Sequence, residues 1–381
     1  RKPTAFLIPV VFAKIHFFLK NLDSLSVSLS GISNRSVCPN IATYRGFKLG
    51  EEDSVSFCKI VSILHLYIAG KFVYLSSISF KITADMMLDL SELLQRAKER
   101  GRCTVAVAAA EDEDVLLSLH QAMREGFVHP LLIGDSERIA AAAHSAGVST
   151  DGMELLDNRE GAAVSAQMAV AKVREGSAGM LMKGHVGTAD LLKAVLDKEK
   201  GITGGGLLSH VAFFQSPYYH KVFGLTDAAM NIAPDLERKR QILLSAVALC
   251  HRLGIASPRV AVAAAVEKVN PKMEATLHAA ALKKMNSDGQ LPGCLVDGPF
   301  AIDIAFHRES ARLKGIGGAV AGDVDLILAP DIEAGNMFYK SLNFLGGAVS
   351  AAVVAGTSVP IVLTSRSDND RSKLLSLALG A

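Results

Sequence analysis

The heptad Ser365-Arg366-Ser367-Asp368-Asn369-Asp370-Arg371 follows the apolar run 360–364, PIVLT. A hydroxyl, a guanidinium and carboxylates thus emerge together where a strand would end. The planar fork of arginine suits phosphate or carbonyl oxygens, and a neighbouring carboxylate can accept a proton. The alternative is a helix start capped by Ser367 or Asp368 with the arginine solvated.

Three further segments have the composition of binding loops. Lys183-Gly184-His185-Val186-Gly187-Thr188 follows the apolar run 178–182; a glycine turn opening a helix beside a lysine is an anion site, or an ordinary turn with Thr188 as N-cap. Gly201-Ile202-Thr203-Gly204-Gly205-Gly206, with Ser209 and His210 just after it, reads as flexible backbone that a ligand can approach closely, or as a hinge between domains. In residues 320–348 a strand leads through Pro330-Asp331 to Glu333-Ala334-Gly335-Asn336, where Asn336 is placed to cap a helix and present its amide to a ligand. Asp323 and Asp325 flank that strand and are expected to be solvated, since no third ligand sits at metal-binding spacing.

These loops need a scaffold, and residues from Met86 onward supply one. Leu90, Leu93, Leu94 and Ala97 mark one face of a helix closed by Gly101. The run 104–110 reads as a buried strand, followed by a helix near 112–125, the strand 130–134 and a helix from Ser136. Helices near 159–175, from Thr188 and near 235–253 alternate with strands at 178–182 and 259–266. Further strands are expected at 293–297, 324–329 and 359–363. Continuous apolar runs separated by helices of this length specify an α/β fold with mainly parallel sheets covered on both faces. Such sheets bind ligands beyond the carboxyl ends of their strands.

A chain of 381 residues with half its residues hydrophobic and one fifth charged has globular-enzyme composition. The net charge of +2 argues for no polyanionic partner, nucleic acid included. Cys38, Cys58, Cys103, Cys250 and Cys294 are scattered without metal or disulfide spacing, which fits a reducing, cytoplasmic setting.

Residues 1–85 differ from the rest, with ten Lys/Arg against five Asp/Glu and few helix formers. Their apolar stretches 6–19 and 57–80 are interrupted by Lys14, His16, Lys59, His65 and Lys71, a poor match to membrane spans. This segment is expected to be a non-native or disordered extension, with Met86 or Met87 the natural start and a membrane anchor the alternative. No membrane association is expected for 86–381.

Taken in order, MKGHVGTADLLKAVL (182–196), LTDAAMNIAPDLERK (225–239), AVEKVNPKM (265–273), CLVDGPFAIDIA (294–305), VAGDVDLILAPDIEAGNMFYK (320–340) and VLTSRSDND (362–370) resemble the phosphate acetyl/butyryltransferase family, its butyryltransferase branch above all. The resemblance covers 86–381. It implies exchange of coenzyme A and phosphate on a short acyl group, without metal, cofactor or covalent intermediate. It also implies a homodimer or higher homo-oligomer and two α/β/α domains with an interdomain cleft, in an isocitrate/isopropylmalate-dehydrogenase-like architecture. The first domain would comprise 86–210 plus 355–381 and the second 211–354.

By the same carry-over Ser365, Arg366 and Asp368 are catalytic, with Asp370 the other candidate base. Lys183, Gly184, His185, Thr188, Ser209, His210, Gly335, Asn336 and Lys340 would bind CoA or phosphate. The acetyltransferase branch places its base where this chain has Ser372. Thr203 stands where related butyryltransferases carry a basic residue, and the chain stops at Ala381 inside a predicted helix. A decarboxylating dehydrogenase is the competing reading, but no G-x-G-x-x-G follows a strand. A binding-only protein is the non-catalytic one.

Overall fold

The computed structural model describes residues 67–68, 71–72, 89–203, 206–363 and 369–381. The expectations for 1–85 fall largely outside them. The chain divides into Arg1–Ser79 and Phe80–Ala381. Within the first unit the described residues form one short antiparallel pair, Tyr67–Ile68 with Lys71–Phe72.

The second unit alternates helices and strands. In chain order it contains α1 (Glu92–Arg100), β1 (Cys103–Ala108), α2 (Glu113–Glu125), β2 (Val128–Gly134), α3 (Ser136–Ala146), β3 (Glu154–Asp157), α4 (Ala162–Arg174), β4 (Met180–Lys183) and α5 (Thr188–Val195). There follow β5 (Ser209–Gln215), β6 (Phe223–Thr226), α6 (Leu236–Arg252), β7 (Arg259–Ala263), α7 (Glu274–Ser287), β8 (Leu295–Phe300), α8 (Ile302–Phe306) and α9 (Arg308–Leu313). The chain closes with β9 (Leu326–Leu328), α10 (Ile332–Phe344), β10 (Val349–Ala355), β11 (Ile361–Val362) and α11 (Asp370–Gly380).

Local chemistry sets these boundaries. Asp112 and Asp135 cap α2 and α3 through their carboxylates, satisfying amide groups that the first turn leaves bare. Gly126 and Gly147 end the same helices in the left-handed conformation, which carries no Cβ penalty in glycine.

All the described strands of this unit join one eleven-stranded sheet in the order β8-β7-β9-β6-β5-β10-β11-β4-β1-β2-β3. Pairing is parallel within β8-β7-β9-β6 and within β11-β4-β1-β2-β3. The joint is antiparallel: β6 with β5, β5 with β10, β10 with β11. The two parallel sets therefore run in opposite directions.

Register then fixes where they end. Leu181, Ile361, Val354 and His210 share one row across the joint. The next row holds Val211, Thr226, Leu328 and Val262. β4 stops at Lys183, two residues past its Leu181, while β6 and β9 stop at Thr226 and Leu328. The carboxyl ends of the two opposed sets consequently reach neighbouring rows of the sheet.

The two faces differ. On one, a single apolar core spans both sets, from Val105 and Met182 through Val211 and Val353 to Val260 and Leu326, covered by α1, α2, α6, α7 and α11. On the other the core is split. One cluster gathers Leu181, Ile361, Val354 and Leu208 under α4 and α5, and a separate one gathers Ala212, Ala352, Leu225 and Tyr339 under α10. His210, between Leu208 and Ala212 on that face and opposite Val354, lies where they part.

Candidate functional site

The turn after β4 is built on close backbone contact. Gly184 N–H donates to Ala108 O at 2.9 Å and His185 N–H to Ala109 O at 2.5 Å. A Cβ on Gly184 would stand 2.0 Å from Ala109 O, so only glycine fits. Lys183 is half-buried, and its Nζ donates to Gly184 O at 3.1 Å. Gly187, not Thr188, is the N-cap of α5, and no side chain caps it. Thr188 is the first helical residue and, like His185, is exposed. Helix-start amides without a side-chain cap, on the turn that follows Lys183, are suited to an anion.

Ser209 and His210 are not part of a flexible loop: they open β5, paired with Ala355 and Val354, and are fully and 94 % buried, being 0 % and 6 % exposed. Apolar side chains at 211–214 supply the missing strand signal. The His210 ring meets Tyr339 of α10 edge-on, centroids 5.6 Å apart. Ser209 points to the opposite face, that of Val211. Its Oγ is buried and has no hydrogen-bond partner among the described residues. The glycine run before β5 is close-packed where described, with Cβ positions 2.3 Å from Val195 O at Gly201 and 2.6 Å from Gly356 O at Gly206. Gly204 and Gly205 lie outside the described residues.

α10 begins earlier than its sequence suggests. Asp331 caps it by accepting from Ala334 N at 2.8 Å, which places Asn336 beyond the first turn. Instead of capping, Asn336 Nδ2 donates to Ala228 O at 3.1 Å. Gly335 abuts the same loop, its Cβ position 2.3 Å from Asp227 O. Lys340 Nζ stands 5.8 Å from the Tyr339 ring centroid and 5.6 Å from that of Phe344. Gly335 and Asn336 therefore pack against the loop after β6, with Lys340 further along α10 and His210 joined to that helix through Tyr339. Lys183, Gly184, His185 and Thr188 stand at the end of β4, with β10 and β11 between the two groups.

That loop holds the residues that sequence reasoning passed over. Asp227 is 3 % exposed. Its Oδ1 accepts from Ala229 N and Met230 N at 2.9 and 3.0 Å. Its Oδ2 accepts from Asn231 N at 3.1 Å and Asn231 Nδ2 at 2.6 Å. Asn231 Nδ2 also donates to Leu208 O at 2.8 Å. The available signal was an aspartate directly after a strand and four residues before an asparagine. Nearby, Lys239 sits on the sheet-facing stripe of α6, 4 % exposed, with Nζ 2.9 Å from His278 Nδ1. Burial lowers the pKa of Lys239, and burial with the Lys239 charge lowers that of His278.

Asp323 and Asp325 are not solvated. Lys221 Nζ, fully buried, reaches Asp323 Oδ1 at 2.9 Å and Asp325 Oδ1 in a shorter contact. Arg259, Arg308 and His220 also converge on Asp323. This network ties together the amino ends of β6, β7 and β9, away from the strand-end loops. Among the described residues no group of three or more His, Cys, Asp or Glu is placed to hold a metal ion.

Ser365, Arg366 and Asp368 lie outside the described residues, as does Ser367. Asn369 caps α11 by accepting from Ser372 N at 2.8 Å, and Asp370 is exposed in its first turn. Ser372 is buried, and its Oγ accepts from Ser350 N at 3.4 Å.

Parallel strands whose end loops carry lysine, histidine, asparagine and close-packed glycines form the kind of site that α/β enzymes use. Residues 162–381 match the family phosphate acetyl/butaryl transferase. The phosphate butyryltransferase of Clostridium acetobutylicum is 41 % identical over 78 % of this chain and 98 % of its own length. The phosphate acetyltransferase of Thermotoga maritima is 39 % identical over 77 % and 98 %. A branched-chain phosphotransacylase from Enterococcus faecalis superposes with a TM-score of 0.65 at 32 % identity, over 73 % of this chain and 97 % of that one. The chain belongs to the phosphate acetyl/butaryl transferase family.

Proposed function

We propose that the chain catalyses acyl-CoA + phosphate = acyl phosphate + CoA on butyryl or another short acyl group, in a ternary complex. Acetyl is the alternative, and the Thermotoga relative keeps it in view. The observation that carries the reading is the split core at His210, where the ends of two opposed strand sets reach neighbouring rows. Two substrates held in line there would gain up to ~7–11 kcal/mol from orientation alone.

In the reverse direction, Asp368, or Asp370 two residues further along, takes the thiol proton of CoA. The thiolate attacks the acyl carbonyl of acyl phosphate, and phosphate departs as the thioester forms. Arg366 stabilises the oxyanion of the tetrahedral centre, and Ser365 hydrogen-bonds the sulfur or that oxygen. Lys183, Gly184, His185, Thr188, Ser209, His210, Gly335, Asn336 and Lys340 serve CoA and phosphate. Both are substrates, and no metal or cofactor enters the reaction.

The split also supports two domains, 86–210 with 355–381 and 211–354, and a cleft between them. Tyr218, Met337, Phe344 and Leu345 are all more than half exposed, and burying them against a second copy supports a homodimer. No helix among the described residues is long and apolar enough to cross a membrane; a cytoplasmic location is part of the same proposal.

CoA release from butyryl-CoA and acetyl-CoA, with and without phosphate, tests the function. Phosphate-dependent release is expected, fastest with butyryl-CoA. Release that ignores phosphate, or none from folded protein, overturns it. Arg366→Ala is expected to lower turnover at least 100-fold with an unchanged melting temperature.

A further inference from the structure

Three elements of the candidate site are tied to one another through a single buried carboxylate. Asp227 stands directly beyond β6, and its two oxygens accept four hydrogen bonds from the turn 229–231. The turn is passed on in two directions. Asn231 donates to Leu208 O at 2.8 Å, immediately before Ser209 and His210. Toward α10, Ala228 O accepts from Asn336 Nδ2 at 3.1 Å, Ile332 N donates to Ile232 O at 2.9 Å, and Gly335 leaves room for Asp227 O. α10 then returns to β5, where Tyr339 meets the His210 ring. The start of β5, the loop 227–232 and the first turns of α10 thus form a closed ring of contacts.

We propose that Asp227 and Asn231 form a positioning clasp that sets His210 of β5 and Asn336 of α10 at fixed separation, in register for the acyl-transfer step. The proposal rests on the acyltransferase reading for its catalytic consequence, but not for its structural one. Neither residue touches substrate: Asp227 is buried and engaged at both oxygens, and Asn231 spends its amide on Leu208 O and Asp227 Oδ2. A carboxylate suits the place because acceptors alone face the turn's donors. An asparagine at 227, in either amide orientation, would turn its NH2 toward two of the four donors and lose those two bonds.

The clasp predicts a particular pattern. Displacing reacting groups by about 1 Å can cost ~100-fold in rate. Asp227→Asn and Asn231→Ala should therefore lower kcat by about that factor and leave KM for acyl-CoA within threefold. Asp323→Asn, at the opposite ends of the strands, is the control: it should lower the melting temperature and leave kcat unchanged. A merely structural Asp227 would behave as Asp323 does.

Hydrogen exchange on the full chain tests the clasp whether or not the protein turns over. Asn231→Ala is expected to speed exchange at least tenfold in 208–212 and 332–338, with α2 unaffected. Unchanged exchange there overturns the clasp. Faster exchange with kcat within threefold of the parent overturns its catalytic role. A parent without phosphate-dependent CoA release instead overturns the acyltransferase reading, and exchange then still decides the clasp.

Discussion

Lys221 gives a sharp test of what fixes the sheet. Its side chain is fully buried, and its three N–H groups meet Asp325 Oδ1, Asp323 Oδ1 at 2.9 Å and Asp323 O at 3.0 Å. Lys221→Met keeps an unbranched side chain, one atom shorter, and removes the charge. Asp323 would still face Arg259 and Arg308, whereas Asp325, 4 % exposed, has Lys221 as its sole ion-pair partner among the described residues. Stranding one buried carboxylate costs roughly 3–5 kcal/mol. At about 2 °C per kcal/mol for a chain of this size, the melting temperature should fall by about 6–10 °C.

Adding Asp325→Asn to that variant removes the stranded charge, and the amide oxygen can still accept from Arg259 N, which in the parent donates to Asp325 Oδ2 at 2.8 Å. The double variant should regain about 2 kcal/mol, because losing both partners costs less than losing one. Thermal melts and urea midpoints of parent, single and double variants form the assay. A loss under about 1 kcal/mol for Lys221→Met, or a double variant weaker than the single, would refute the argument that Asp325 depends on Lys221.

Burial alone raises the Asp323 pKa, but the hydrogen bond and charge of Lys221, with the charge of Arg259, outweigh it and hold the carboxyl below its ordinary value. A depressed folded pKa means stabilisation that is present above the unfolded value near ~4 and lost as pH falls below it. Asp323→Asn should therefore flatten the acid limb of a melting-temperature profile; an unaltered limb would contradict this. Gly184→Ala forces a methyl against Ala109 O and should raise KM for phosphate at least tenfold, read in initial-rate kinetics. Gly335→Ala collides with Asp227 O and should lower the melting temperature by several degrees together with kcat.

The elements legible in the sequence were those whose burial is local in pattern. β1, β2 and β4 are continuous apolar runs, and α2 and α3 end in glycines whose conformation other residues resist. β5 was not legible because it begins Ser209-His210 after a glycine run, and the strand partners that define it, β6 and β10, lie far along the chain in the second case. β10 is a run of Ala and Val, which suits a helix as well as a strand. Asn336 was read as a cap because asparagine favours caps, but Asp331 wins that place through a carboxylate closer to the helix-start amides. Asp323 and Asp325 were expected in water since nothing local reveals that Lys221, Arg259 and Arg308 converge on them. Asp227 and Asn231 were hidden for a similar reason, since their significance lies in contacts with Leu208 and α10.

The sheet order has a consequence for synthesis. β4 pairs on one side with β1 and on the other with β11, so Leu181 waits for Ile361, and α1 waits for α11 to cover it. At roughly 5–20 residues per second, a nascent chain holds the edge of β4 open for on the order of ten to forty seconds. Bare strand edges invite pairing with other chains. β11 and α11 thus act as a closing stitch, and a ribosome stalled before Ile361 leaves behind a chain with an adhesive flank.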